Sequence, residues 1–98
     1  MSLTKVPTGG KFLYNRAVKP VRITRHARNR MRGHRIEEHL VRLALEAPDW
    51  EEASVEGRIN RWKRVEERFL RVTCKDEPER IVVISAVFKR RPSRGRDQ

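Results

Sequence analysis

A single cysteine, Cys74, stands among 98 residues, so no intrachain disulfide can form and no four-thiolate metal site can be built. No run of about 18 apolar residues occurs, which removes a helix that crosses a membrane. Thr8-Gly9-Gly10-Lys11 lacks the spacing of a phosphate-cradling glycine loop, and no nucleophile-elbow motif surrounds Ser85. His26, His34 and His39 are not spaced four apart and have no cysteine near them, a poor set for zinc. No metal or other cofactor is expected. Met1 to Pro20 has no apolar stretch like that of a signal peptide, and the expected compartment is a reducing cytoplasm.

The most informative shortage is of acid. Residues 1–36 hold ten Lys or Arg and no Asp or Glu. Residues 37–79 hold eight basic and twelve acidic side chains, and the last nineteen hold six basic against Asp97 alone. The formal charge of +11 is therefore unevenly placed. A one-sided positive field concentrates phosphate-bearing partners and speeds their encounter. An anionic membrane surface fits less well, because no basic stretch has a continuous apolar face.

What is present reads as one small α+β domain. Residues 1–19 form a basic arm, with a turn at Thr8-Gly9-Gly10 and an apolar patch at Phe12, Leu13 and Tyr14. Val21 to Thr24 is a short extended stretch. Thr24 caps a helix over Arg25 to Arg32, with Ala27 and Met31 as its buried seam and Gly33 as a left-handed C-cap. Ile36, Leu40, Leu43, Ala44 and Ala47 recur at helical spacing before Pro48. From Trp50 the period changes to two, giving candidate strands Trp50–Val55, Arg58–Val65, Phe69–Lys75 and Arg80–Phe88. Leu70, Val72 and Cys74 share the inward face of the third. The expected fold is two N-terminal helices packed on a four-stranded antiparallel β-meander over residues 20–89, followed by a basic flexible tail over 90–98.

The densest chemistry lies in Thr24-Arg-His-Ala-Arg-Asn-Arg-Met-Arg-Gly-His-Arg-Ile36. Cleaving a phosphodiester without metal needs a base, an acid and cations on the crowded phosphorane. Histidine titrates in the right range, and arginine grips phosphate through two parallel donors. His26 with Arg30 one turn on could fill two of those roles; equally, His26 could bond a neighbouring strand while Arg25, Arg28, Arg32 and Arg35 only bind phosphate. His34 is either a second titrating group or an exposed loop residue. Arg58, Arg61, Lys63 and Arg64 surround Trp62, a pattern suited to backbone contact with base stacking, unless Trp62 packs under the sheet edge. Trp50 reads as a plug at one end of the core. Arg68 and Arg71 either join a cationic sheet face or pair with Glu51, Glu52 or Glu66.

His26-Ala27, Arg30-Met31 and Ile36 resemble the His-Ala-x-x-Arg-Met-x-x-Arg-Gly-Ile signature of the family called domain of unknown function 4258. The signature's Arg-Gly pair falls here on His34-Arg35, with the glycine one place early at Gly33. That family is similar in layout to the RelE and BrnT toxins, small ribonucleases of type II toxin–antitoxin systems. The resemblance implies an RNA-cleaving surface on the first helix and the sheet, catalytic roles for His26, Arg30 and Ser85, and an antitoxin protein covering it. Three readings follow: a metal-independent endoribonuclease toxin, a non-catalytic RNA- or ribosome-binding module, and an adaptor for an acidic protein.

Overall fold

The chain switches from extended to helical at Thr24, and that switch organises the molecule. In the computed structural model, which describes residues 19–91, Val21–Ile23 form strand β1 and Arg25–His34 form helix α1. The Thr24 hydroxyl accepts the Ala27 N–H at 3.1 Å, the expected N-cap. The same hydroxyl donates to the Val83 carbonyl at 3.0 Å. One side chain thus starts the helix and pins it to the sheet. Helix α2 follows over Glu38–Glu46, then strand β2 over Trp50–Ala53, a 3₁₀ turn at Val55–Gly57, and strands β3, β4 and β5 over Ile59–Val65, Arg68–Asp76 and Ile81–Lys89.

The sheet corrects the expected architecture. It has five strands in the order β1-β5-β4-β3-β2, and it is mixed. Strands β2 to β5 form the antiparallel run read from the sequence, but β1 adds to its edge parallel to β5, with Val21 opposite Ile81 and Ile23 opposite Val83. A strand therefore precedes the helices, and both helices lie between β1 and β2 in the chain. Three residues are too few to show a period, and the partner lies some sixty positions away. A parallel pair needs a crossover connection of at least about a dozen residues, never a tight turn. Nothing local announces it.

Two helix ends also differ. Gly33 lies inside α1, and Arg35 takes the left-handed C-cap at φ 57°, its N–H reaching the Arg32 and Met31 carbonyls. A left-handed arginine costs roughly 1–2 kcal/mol relative to glycine, which the burial of the next residue, Ile36, helps to offset. In α2 the buried seam is Val41, Ala44 and Leu45, while Leu43 stays exposed. Ala27 and Met31 of α1 join that seam over Leu70, Val72 and Cys74 of β4 and Ile81, Val83 and Ala86 of β5. Each large side chain buried there contributes about 1.5–3 kcal/mol. Among the described residues no helix is long and apolar enough to cross a membrane. Residues 1–18 of the arm, with the Phe12-Leu13-Tyr14 patch, and the tail from residue 92 lie outside the described residues.

One charged residue sits inside. Arg61 of β3 is 2 % exposed. Its Nε donates to Glu51 Oε2 of β2 at 2.8 Å and its Nη2 to Asp76 Oδ2 of β4 at 3.3 Å. Lys19, just ahead of β1, donates to Asp76 Oδ1 at 2.6 Å. Burial works to raise the Asp76 pKa, but the hydrogen bonds and charges of Lys19 and Arg61 outweigh it and hold the carboxyl below its ordinary value. Removing one partner of a fully buried pair typically loses 3–5 kcal/mol, much of it from the charge left behind. Here the carboxylates are partly solvated, with side chains 37 % and 29 % exposed. Arg61→Ala should therefore lose about 2–3 kcal/mol, read as a lower urea midpoint at unchanged slope. A loss below half a kcal/mol would show that the strands are held without it.

Candidate nucleic-acid interface

Helix α1 runs along the part of β5 that β1 leaves unpaired. Its Ala27 and Met31 face the core, so Arg25, His26, Arg28, Arg30 and Arg32, with Arg35 at the cap, are all exposed. Arg28 pairs with Glu38 at 3.6 Å, and Arg32 donates to Asn29 at 3.2 Å. Among the described residues, Arg25, Arg30, Arg32 and Arg35 have no ion pair. The acid-free opening of the sequence becomes a set of exposed guanidinium groups flanking the buried stripe of one helix, Arg25, Arg28 and Arg32 on one side and Arg30 on the other.

At the C-terminal end of this helix the sheet adds more cations. His34 is half-buried and its Nδ1 accepts the Phe88 N–H of β5 at 3.4 Å. Its pKa lies below the ordinary 6.5, lowered first by burial and then by the charges of Arg30, Lys89 and Arg68. The Arg68 guanidinium rests 3.9 Å from the centre of the Phe88 ring. Arg71 is also held below its ordinary value, by burial first and by Arg30 second, with Glu52 opposing both. Its Nε is buried and has no hydrogen-bond partner. Arg30, Arg68 and Lys89, from three elements, thus crowd His34, and Arg30 also faces Arg71. Such a cluster repels itself, and an anion placed among these groups relieves the repulsion and meets the unpaired donor.

The engaged nitrogen of His34 decides what this residue can do. With Nδ1 accepting a backbone amide, the neutral ring carries its proton on Nε2 and offers a donor. It can hold an oxygen; taking up a proton means giving up the Phe88 contact.

The other expected site residues divide. His26 is exposed one turn before Arg30. Ser85 of β5 is half-buried opposite Thr73, on the sheet face turned away from the helix-side core. Arg61 and Trp62 are corrected: they are 2 % and 0 % exposed, so neither is free to meet RNA. Arg61 is used in the internal ion cluster. Trp62 lies on the opposite sheet face, its Nε1 donating to Glu52 Oε2 at 3.0 Å and its ring stacked against Trp50 with centroids 5.5 Å apart and planes at 9°. Lys63 is tied to Asp49 at 3.7 Å and to the Ala47 carbonyl at 2.9 Å. Arg64 remains exposed, donating to the Glu66 carbonyl at 3.2 Å. These four residues, read as part of one basic patch, therefore point to different environments, because neighbours on a strand face opposite sides.

Sequence reasoning missed Lys89 and the placing of Trp50. Lys89 stood at the edge of a basic tail, where nothing separates it from Arg90 and Arg91. Trp50 is no core plug, being 36 % exposed on the sheet face away from the helices. Its register opposite Trp62 was the available signal, since a short β2–β3 connection brings the two tryptophans together.

Comparison of the chain with protein-family models, with curated proteins and with solved structures finds no match. The cluster is therefore judged on its own electrostatics. Nuclear magnetic resonance titration of the ring should place the His34 midpoint below 6.5. Arg30→Gln should move it upward, because a repelling cation is gone. A midpoint unmoved by that change would mean that Arg30 does not face His34.

Proposed function

We propose that this chain is an RNA-binding protein of the cytoplasm, which takes phosphate groups on the exposed arginines of α1 and where Arg30 faces His34 and Arg71. One observation supports the reading: Arg30 faces both His34, which Lys89 and Arg68 also approach, and Arg71, whose Nε is buried without a hydrogen-bond partner. Arg71 is only partly balanced, by Glu52, whereas Arg61 is bonded to two carboxylates. RNA with unpaired bases is favoured over a duplex because aromatic side chains lie on the same sheet face as Arg71, and exposed bases stack on such rings.

Affinity for a short single-stranded RNA should fall with salt, with a slope of roughly −0.7 per phosphate contacted. Arg30→Gln and Arg71→Gln should each reduce that slope by about 0.7 and weaken binding alike across sequences. Arg42→Gln is the control, because Arg42 is occupied by Glu38 at 2.9 Å. Binding that ignores salt would remove the reading.

An endoribonuclease is the second reading, favoured by the exposed His26 one turn from Arg30. In that reaction the 2′-oxygen attacks phosphorus, the bond to the 5′-oxygen breaks, and a cyclic phosphate remains. His26 would take the 2′-hydroxyl proton or give one to the leaving oxygen, and Arg30 would hold the phosphorane. Such a toxin would be silenced by an antitoxin covering the α1 arginines. His26→Ala should abolish cleavage while leaving RNA affinity within about twofold, since the surrounding arginines carry most of the phosphate binding. Equal cleavage by both proteins, or none by the parent, would leave the binding module alone.

A further inference from the structure

The register of the sheet lines up a row of side chains on the face away from the helices. Trp50 of β2 stands opposite Trp62 of β3, Trp62 opposite Arg71 of β4, and Arg71 opposite Val87 of β5. Trp62 and Val87 are buried, at 0 % and 2 % exposure, and the Arg71 guanidinium lies 6.0 Å from the centre of the Trp62 ring. Trp50 is the aromatic of this row that reaches solvent. Trp62 backs one side of its ring, and the edge of Phe69 meets it with centroids 6.0 Å apart and planes at 63°. The ring is held, so little freedom is lost when something stacks on it.

Beside Trp50 opens a cleft of about 590 Å³, lined by Asp49, Trp50, Lys63, Arg64, Glu66 and Phe69. It is an open, shallow depression, so a flat ring can lie against it. Its charges are already sorted. Asp49 accepts the Arg64 backbone N–H at 2.7 Å and pairs with Lys63, so these two neutralise each other. Arg64 extends its guanidinium to 5.9 Å from the Phe69 ring centre and has no ion pair among the described residues. The Glu66 carboxylate, on the exposed turn between β3 and β4, likewise has no hydrogen bond or ion pair among the described residues. The cleft therefore offers an aromatic plane, one available cation and one available acceptor. A neutral base carrying N–H groups and attached to a phosphate matches all three.

We propose that this cleft holds a nucleobase of single-stranded RNA, stacked on the outer face of Trp50, with Arg64 meeting the attached phosphate and Glu66 accepting from the N–H groups of the base edge. The proposal rests on the RNA-binding reading and supplies its base-recognition site. Trp50 lies two strands from Arg71, about 10 Å across the sheet, so one unpaired strand reaches both the cation cluster and the cleft. A carboxylate accepts best from two adjacent donors, so guanine, with N1–H and N2–H side by side, is preferred there over uracil, whose single N3–H lies between two carbonyls.

The test measures binding of the full chain by anisotropy of a labelled unstructured RNA, its abasic ribose-phosphate counterpart, and a double-stranded RNA of equal length. The parent should bind the base-bearing strand roughly tenfold more tightly than the abasic one. Trp50→Leu, which keeps Trp62 covered, should remove that ratio without changing the salt slope. Glu66→Gln, on an exposed turn, should remove the preference over uracil and leave the fold intact. Equal affinity of the parent for base-bearing and abasic strands would overturn the site while the salt slope upheld RNA binding. Failure of every strand to bind would overturn both. Binding of the duplex as tightly as the single strand would also reject the cleft, since paired bases cannot enter it.

Discussion

A buried guanidinium fixes the geometry on which the rest depends. Arg61 holds Glu51 and Asp76, and Asp76 holds Lys19, so one ionic chain ties β2, β3 and β4 to the segment entering β1. Strand side chains alternate strictly, and a slip of one residue exchanges the two faces. Arg61 and Trp62 are adjacent and both buried, one facing the helix side and the other the opposite side. A slipped β3 would place an indole where two carboxylates wait and a guanidinium against Trp50. Both errors leave buried polar groups without partners, so the pair specifies register more firmly than two apolar residues could.

That register sets what α1 can do. Strand β1 pairs with only the first part of β5, and a bare remainder of that edge would invite another strand. Helix α1 fills the space, anchored by Thr24 at one end and by the Phe88 N–H to His34 at the other. A helix laid on a sheet edge borders both faces. Its Ala27 and Met31 serve the core, while Arg30 lies close enough to Arg71 to shift its pKa. The cationic cluster is thus a product of edge protection, and its members come from elements distant in sequence.

The sequence showed clearly whatever repeats. The period of two over Phe69–Lys75 and the apolar run to Phe88 located β4 and β5, and Thr24 announced α1 through its cap. The buried Cys74 followed from alternation with Leu70 and Val72. Less legible was anything that depends on a partner far along the chain. Strand β1 is three residues long, and its meaning lies in Ile81 to Val83. Glycine chemistry pointed to Gly33 as the helix end, yet the helix runs on to His34 because Ile36 must reach the core. At the candidate site, the exposed arginines of α1 could be read directly. Trp62 could not, since its flanking charges look the same whether the ring faces solvent or Trp50.

The distribution of acids gives the cationic helix its energetic sense. Glu51 and Asp76 neutralise Arg61 and Lys19, Glu38 serves Arg42 and Arg28, Asp49 serves Lys63, Glu56 serves Arg58, and Glu77 serves Arg80. These pairs lie mostly between residues of the mixed-charge middle of the chain. The acid-free opening contributes few cations to them, so separation along the sequence becomes separation in space. Concentrating like charge on one helix and one strand end destabilises the folded state by self-repulsion. Solubility alone would be served as well by scattered lysines, without that repulsion. Arginines were placed here instead, and one has its Nε donor held out of water with nothing to receive it. That arrangement is unfavourable for the isolated protein, and under the RNA-binding proposal a phosphate backbone laid along it would relieve the repulsion.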